Sequence, residues 1–216
     1  MFEKVKNVVV ILAHPDDETI GCGGTLHRLS QEKIKTACVF VSRGCERDGE
    51  GYVNTKRDQC MDALELCGIK DFHFGEFKDQ HLDTYPIIQI TKYIESLNLK
   101  PDMIITHHRS DLNRDHRVVY EAVMTAFRNS PATILSCEIL GNTEKLYPDF
   151  NPNFYVNLIQ KDIDAKRRMM EYYISECDTA SSYSRTEDMF YCLARKRGSE
   201  CNSYLAEAFM LMRGVI

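Results

Sequence analysis

The feature that most constrains this chain is a run of five apolar residues, Val-Val-Val-Ile-Leu at positions 8–12, which ends at a dense polar segment. An unbroken run rich in β-branched residues favours a strand that is buried on both faces, as in the interior of a parallel sheet. The polar segment Ala-His-Pro-Asp-Asp-Glu follows at positions 13–18. We therefore expect this segment at the carboxyl end of a strand, the edge where open α/β sheets bind their ligands.

Strand and helix patterns then alternate along the chain. Apolar runs predict strands at 34–41, 72–77 and 103–106, and helical spacing predicts helices at 18–32, 56–67, 86–97 and 117–127. This alternation predicts a Rossmann-like α/β fold, a mostly parallel sheet with helices on both faces. The later part of the chain has predicted strands at 133–140, 154–159 and 208–212, a helix at 162–174, and polar loops at 42–51 and 178–185. We expect one domain over residues 1–216, because no repeat or linker interrupts it.

Composition and charge narrow the classes of function. The net charge of −5 provides no basic footprint for nucleic acid, although local Arg and Lys side chains can still hold a phosphate. The nine cysteines include no C-x-x-C pair, and the N-terminal segment does not resemble a signal peptide. These observations favour a cytoplasmic protein with reduced thiols. No apolar stretch reaches the length of a membrane span, and the sequence leaves open whether the chain forms a homo-oligomer.

The polar segment at 13–18 places one imidazole and three carboxylates within five residues. Such a concentration of negative charge is costly unless a cation or hydrogen bonds compensate for the repulsion. A turn that caps the following helix would explain the segment equally well, because Asp and Glu are favoured in a first helical turn. Alone, this segment does not distinguish a turn from a site.

A second polar segment follows the predicted strand at 103–106 and favours a site. It reads His-His-Arg-Ser-Asp-Leu-Asn-Arg-Asp-His-Arg at positions 107–117 and leads into the next predicted helix. Two strand ends would thus bring His14, its neighbouring carboxylates and His116 to one edge of the sheet. Histidine and carboxylate side chains are suitable ligands for a catalytic zinc with an open position. The positive end of a helix also favours the neutral imidazole that binds metal, which supports His116.

The AHPDDE sequence at 13–18 and the Asp-His-Arg sequence at 115–117 resemble the PIG-L/LmbE-like family of zinc-dependent deacetylases, which act on N-acetylglucosaminyl and related amino sugars. Weaker matches follow in order along most of the chain: Arg57, Asp79-x-x-Leu82, Tyr155-Val156-Asn157 and Ala206-Glu207-Ala208-Phe209. The resemblance implies a hydrolase that removes an acetyl group from an amino sugar or sugar conjugate by attack of a zinc-bound water on the amide. The implied substrate is a small N-acetylated sugar, with nucleotide-linked and phosphorylated forms left open.

The resemblance also implies roles for single residues, namely metal ligands, a general base and substrate contacts. His14, Asp17 and His116 would hold Zn2+ or another divalent metal, Asp16 would take a proton from the water, and Arg57 and Asp79 would contact the substrate.

Asn113 stands where many family members carry a histidine. An asparagine cannot transfer a proton at neutral pH, but it can donate a hydrogen bond to an oxyanion, so we predict that Asn113 contacts the substrate. The proton donor to the leaving amine then remains open among Asp16, His107 and His108. We expect Asp115 to orient a metal ligand from outside the ligand set.

Two further functions compete with the deacetylase. His14-x-Asp16 with a distant His116 also satisfies the two-histidine, one-carboxylate pattern of a non-haem Fe(II) oxygenase, although we would expect such an enzyme to be an all-β jelly roll. A catalytically silent sugar-binding protein is the other alternative. The presence of Asp16 argues against it, because a binding protein has no need of a base at that position.

Overall fold

The computed structural model describes residues 5–44, 50–145, 149–173 and 186–214, except for the side chains of residues 50–54 and 187. The strands in these ranges are β1 Asn7–Leu12, β2 Lys35–Ser42, β3 Asp71–Phe77, β4 Met103–Thr106, β5 Thr133–Cys137, β6 Phe154–Leu158 and β7 Leu205–Arg213. The helices are α1 Asp17–Gln31, α2 Glu50–Leu66, α3 Ile87–Ser96, α4 Arg114–Ala126, α5 Gln160–Glu171 and α6 Glu187–Glu200, with a short 3-10 turn at Leu82–Thr84. None of these helices combines the length and the apolar content that crossing a bilayer requires.

The seven strands form one sheet in the order β3-β2-β1-β4-β5-β7-β6. Neighbours among β1 to β5 pair in parallel, whereas β7 runs antiparallel to both β5 and β6. The chain order reverses at β1, which lies between β2 and β4. Such a switch point opens a crevice at the carboxyl ends of adjacent strands. The predicted mostly parallel α/β sheet is confirmed, while the extent of a single domain over 1–216 stays a prediction.

The central strand β1 is buried on both faces, as its sequence predicts. Val8, Val10 and Leu12 belong to an apolar cluster that includes residues of α1, α2, α5 and α6. Val9 and Ile11 belong to a second cluster that includes residues of α3 and α4. Each fully buried aliphatic side chain stabilises the fold by about 1.5–3 kcal/mol. Helices on both faces therefore hold the carboxyl end of β1 in a fixed position.

Side-chain hydrogen bonds set two boundaries that differ from the predicted ones. The helix α4 begins at Arg114 rather than at 117, because the Asn113 Oδ1 accepts the backbone N–H of Asp115 at 2.9 Å and caps the helix. The strand β5 ends at Cys137 rather than at 140, because the backbone N–H of Ile139 donates to the Thr143 hydroxyl at 2.8 Å. Elsewhere, β7 begins at 205 rather than at 208.

The helix α6 is absent from the sequence-based prediction. Phe190, Ala194 and Arg197 form its buried stripe, and Arg197 donates to the carboxylate of Glu138 at 2.9 and 2.5 Å. A charged residue in the buried stripe conceals the apolar periodicity on which the prediction relied. The helix α2 begins at Glu50, inside the predicted loop at 42–51. Residues 45–49 of that loop and the whole predicted loop at 178–185 lie outside the described residues.

The helix α1 is broken at Cys22, whose φ of −152° and ψ of 23° are not helical. Two helix ends with unsatisfied backbone groups therefore meet inside the protein. Lys166 on α5 donates to a carbonyl of the first half at 2.8 Å. Glu207 on β7 accepts the N–H groups of Gly24 and Thr25 in the second half at 3.1 and 2.7 Å, and it pairs with Lys166 at 2.7 Å. The positive charge of Lys166 thus faces the carboxyl end of the first half, and the negative charge of Glu207 faces the amino end of the second half.

Replacing Glu207 with Gln tests this arrangement, because it keeps the shape of the side chain and removes the charge opposite Lys166. The pair is buried, with 5% and 7% of the side chains exposed, so we expect the free energy of unfolding to fall by about 3 kcal/mol. Glu95→Gln is the matched control, since it removes an exposed pair with Arg128 and should cost less than about 1 kcal/mol. Urea unfolding followed by circular dichroism measures both. Equal losses in the two variants would contradict the role of Glu207.

Candidate active site

The segments that follow β1 and β4 lie side by side at the switch point. The two strands pair with Ile11 opposite Thr106, so β4 ends one residue before the level at which β1 ends. The Thr106 hydroxyl donates to the carbonyl of Ile11 at 2.9 Å. Just beyond the strands, the backbone N–H of Ala13 donates to Nε2 of His107, also at 2.9 Å. These bonds fix the two polar segments against each other.

His14, Asp17 and His116 converge in this crevice, as predicted for metal ligands. His14 Nδ1 lies 3.2 Å from Asp17 Oδ2 and 3.3 Å from His116 Nε2. His116 Nε2 lies 3.3 Å from Asp17 Oδ1. Ligand atoms placed ~2.0–2.1 Å from a tetrahedral zinc are about 3.3–3.4 Å apart, so the spacing of these three side chains fits such an ion. They form one of the groups of described residues that could hold a metal.

The cluster is buried, and its charges are strongly coupled. Burial lowers the pKa of His116, but the carboxylates of Asp17 and Asp111 together raise it by more, and the resulting pKa is about 9. Burial also lowers the pKa of His14, and hydrogen bonds to carboxylates, Asp115 first, raise it well above its ordinary value. Burial raises the pKa of Asp17, but the imidazoles of His116 and His107 together outweigh this effect and hold the pKa well below its ordinary value. A divalent ion would displace protons from the two facing nitrogens, His14 Nδ1 and His116 Nε2, which lie 3.3 Å apart.

Asp111 holds His116 from the outer side of the cluster. Its Oδ1 lies 3.1 Å from His116 Nδ1 and accepts the backbone N–H of Asn113 at 2.8 Å. Its Oδ2 accepts the Thr143 hydroxyl at 2.9 Å. The buried carboxylate therefore faces Nδ1 of the ring and leaves Nε2 towards the cluster, an arrangement in which carboxylates commonly orient metal-binding histidines.

The outer nitrogen of His14 lies between two carboxylates. His14 Nε2 is 2.9 Å from Asp79 Oδ1 and 3.2 Å from Asp115 Oδ2, with the amide nitrogen of Gln80 at 3.3 Å. Asp115 Oδ1 in turn accepts the backbone N–H of Leu82 at 3.1 Å. Asp115 thus contacts a predicted metal ligand from outside the set of three. Asp79 contacts His14 as well, and its predicted contact with the substrate stays a prediction.

Asp16, the predicted general base, occupies a strained position at the start of α1. Its φ of 113° and ψ of −30° are unfavourable for a residue with a Cβ and cost about 1–3 kcal/mol. Its backbone N–H donates to Glu18 Oε2 at 3.0 Å, and its carbonyl accepts the N–H of Ile20 at 3.0 Å. Because of the strained turn, the adjacent residues Asp16 and Asp17 have different backbone conformations, Asp16 outside the helix and Asp17 at its first position. Of the two, only Asp17 belongs to a described group that could hold a metal.

The two histidines considered as proton donors, His107 and His108, have lowered pKa values, in contrast to His14 and His116. His107 is fully buried, and its ring stacks on that of His116 with centroids 3.8 Å apart. Burial, reinforced by His116, lowers the pKa of His107 to about 4, so it is neutral near pH 7. Burial also lowers the pKa of His108, whose Nδ1 accepts the backbone N–H of Ser110 at 3.3 Å. Neither imidazole carries a proton suited to general acid catalysis near neutral pH.

Arg57 and Asn113, the other predicted substrate contacts, have partners within the protein. Arg57 Nε donates to the carbonyl of Arg43 at 2.7 Å, and its Nη2 donates to the carbonyl of Gly75 at 3.1 Å and to Glu76 Oε1 at 2.9 Å. Arg57 thereby ties the residue after β2 to β3. Asn113 caps α4 through its Oδ1. Contacts of these two residues with a substrate stay predictions.

Sequence reasoning missed three residues that support the cluster: Asp111, Thr143 and Gln80. A signal existed for Asp111, which lies in the same polar segment as His116. Thr143 and Gln80 give no local signal, because they reach the site from turns that follow β5 and β3.

Comparison with known families identifies the chain. The family model described as "PIG-L: GlcNAc-PI de-N-acetylase" matches residues 9–127, more than half of the sequence and both polar segments. This chain belongs to the PIG-L family. The resemblance seen in the sequence is thereby confirmed, and with it the class of deacetylases.

Individual PIG-L relatives and solved structures agree with this result. The uncharacterized deacetylase YaiS of Escherichia coli K12 is 29% identical over 170 residues, which are 76% of this chain and 88% of that protein. N,N'-diacetylchitobiose deacetylase from Pyrococcus horikoshii has a TM-score of 0.78 at 18% identity, over 98% of this chain and 85% of its own. The 4-carboxy-2-hydroxymuconate hydratase GalB of Pseudomonas putida KT2440 has a TM-score of 0.74 at 15% identity, over 98% of both chains. At these identities the structures show the fold alone, and that fold also supports a hydratase.

Replacing Asp111 with Asn tests its support of His116. We expect the affinity for Zn2+ to fall about 10–100-fold, because the ring loses the charged partner that orients it. Competition with a chromophoric chelator measures the affinity. Asp164→Asn is the control, since Asp164 is an exposed carboxylate on α5 that pairs with Arg167. Unchanged affinity in Asp111→Asn would contradict the assigned contact.

The affinity for Zn2+ should also rise with pH. The pKa of His116 in the metal-free protein is about 9 and that of His14 is raised, so metal binding near pH 7 must displace protons. Each displaced proton makes the affinity increase about tenfold per pH unit below the pKa. Asp17 is already ionised in this range and adds no dependence. Chelator competition between about pH 6 and about pH 8 tests this expectation, and a flat profile would contradict it.

Proposed function

We propose that this PIG-L protein is a zinc-dependent hydrolase that removes an acetyl group from the nitrogen of an amino sugar or sugar conjugate. The observation that carries the proposal is the largely buried triangle of His14, Asp17 and His116, with Asp16 adjacent to it in the chain. Two imidazole nitrogens and one carboxylate form the ligand set that catalytic zinc commonly uses, with a fourth position left for substrate or water.

The chain's residues divide the chemistry between them. A bound metal would supply Lewis acidity, lowering the pKa of water and polarising the amide carbonyl. Asp16 takes the proton from the attacking water, whose hydroxyl adds to the carbonyl carbon. The C–N bond then breaks, and the nitrogen leaves with a proton as the free amine while acetate remains. Asp16 is our candidate for returning that proton, since burial keeps His107 and His108 neutral near pH 7.

The proposed substrate is a small N-acetylated sugar, with nucleotide-linked and phosphorylated sugars included. Arg57 and Asp79 are proposed to contact sugar hydroxyl or phosphate groups, and Asn113 to donate to the carbonyl oxygen as negative charge develops. A cytoplasmic location remains our expectation, because the nine cysteines include no C-x-x-C pair and favour reduced thiols.

Two features disfavour the competing functions. The expected all-β jelly roll of an Fe(II) oxygenase is contradicted by the largely parallel sheet with helices on both faces. The carboxylate that joins His14 and His116 is that of Asp17, not Asp16 as the oxygenase pattern required. A silent binding protein would have no use for a second, strained carboxylate beside the ligands.

Acetate release tests the proposal directly. The Zn2+-loaded protein should release acetate from at least one member of a panel of N-acetylhexosamines that are free, phosphorylated or nucleotide-linked. Asp16→Asn should lower kcat about 10²–10⁴-fold, because proton transfer by the base is lost. Its Zn2+ content should stay that of the wild type, since Asp16 is not a proposed ligand.

Asp164→Asn on α5 is again the control and should keep full activity. No acetate release by the wild type from any member of the panel would overturn the proposed function. Full activity in Asp16→Asn would overturn the assignment of the base while leaving the deacetylase intact.

A further inference from the structure

The carboxylate of Glu18 lies directly against the backbone of Asp16. Glu18 Oε2 accepts the Asp16 N–H at 3.0 Å, and the Glu18 side chain is fully buried. Glu18 Oε1 accepts two hydroxyl groups, from Thr19 at 2.6 Å and from Tyr173 at 2.8 Å. Both oxygens are therefore occupied by donors of the protein. Among the described residues, Glu18 is not part of any group that could hold a metal.

Tyr173 braces this carboxylate from a distant part of the chain. It follows α5 directly, is fully buried and lies 155 positions from Glu18 in the sequence. The side chain of Lys56 on α2 lies over its ring at 5.5 Å from the centroid. The phenol is thus confined by packing, and its hydroxyl holds the carboxylate at a defined position. The brace connects the end of α5 with the start of α1.

The strained turn at Asp16 explains why such a brace is needed. A residue with a Cβ remains at φ 113° only when the surrounding structure over-determines that conformation. The Asp16 N–H bond to Glu18 is one restraint, and the bond from the Ile20 N–H to the Asp16 carbonyl is another. Without the first, the turn can relax towards an ordinary conformation. The carboxylate of Asp16 would then move relative to the ligands.

We infer that Glu18, braced by Tyr173, is a positioning residue that fixes Asp16 in the conformation a general base requires. The inference rests on the proposed function of Asp16. It differs from a purely structural role, because it places the effect on proton transfer and not on metal binding or substrate affinity. Small displacements of a catalytic group are sufficient to lower turnover substantially.

Three variants test the inference: Glu18→Gln, Tyr173→Phe and the double variant. Glu18→Gln replaces one acceptor oxygen by an amide donor, so the two hydroxyls and the Asp16 N–H cannot all be satisfied. We expect kcat to fall about 100-fold in Glu18→Gln and about 10-fold in Tyr173→Phe, with KM and Zn2+ affinity unchanged. The double variant should be no slower than Glu18→Gln alone, since both act through one contact. Tyr155→Phe is the matched control, because it removes a tyrosine-to-glutamate bond on β6 with Glu200.

Hydrogen exchange of the metal-free protein gives a readout that does not depend on activity. The Asp16 amide should be protected in the wild type and should exchange at least about tenfold faster in Tyr173→Phe, while the amide of Ile20 keeps its protection. Tyr173→Phe also keeps the test valid if Glu18→Gln does not fold. Unchanged exchange and kcat in Tyr173→Phe would overturn the inference. If the wild type releases no acetate, the proposed function fails. Faster exchange of the Asp16 amide in Tyr173→Phe than in the wild type would still show that Tyr173, through Glu18, holds the backbone at Asp16.

Discussion

The parallel pairing of β1 with β4 is the constraint on which the site depends. Because these strands are neighbours and end within one residue of each other, the residues that follow them occupy one crevice. Helices pack on both faces of the sheet, so neither strand end can move independently of the core. The candidate ligand atoms of His14, Asp17 and His116 are consequently brought to within about 3.3 Å of one another by backbone architecture.

The imidazoles of His14 and His116 in this crevice are surrounded by more carboxylate groups than they can neutralise. Asp111 faces the outer nitrogen of His116, while Asp79 and Asp115 face that of His14. These contacts leave His14 Nδ1 and His116 Nε2 pointing at Asp17, and they make a divalent ion the natural neutralising partner of the assembly. Orientation and charge balance thus come from the same acidic side chains. The hydratase GalB has a similar fold, so the fold alone does not decide the chemistry.

The sequence was sufficient to predict the parallel sheet and the convergence of the two polar segments. Both depend on local signals, which are apolar runs followed directly by charged residues. It was not sufficient for α6, whose buried stripe includes Arg197, nor for Thr143, which meets Asp111 only through the tertiary fold. The strain at Asp16 was likewise unpredictable, because a positive φ at an aspartate is imposed by its surroundings. The predicted roles of Arg57 and Asn113 depend on a substrate and are not decided by contacts within the protein.

The break in α1 has a consequence for the order in which the protein assembles. Its two charged partners are contributed late in the chain: Lys166 lies 146 positions after Ile20, and Glu207 lies 183 positions after Gly24. Contacts of such long sequence separation carry a large closure entropy and tend to form late in folding. On the ribosome, the polar segments at 13–18 and 107–117 would emerge well before Glu207 is synthesised. Nascent chains therefore carry both polar segments for a time before Glu207 is available to cap the second half of α1.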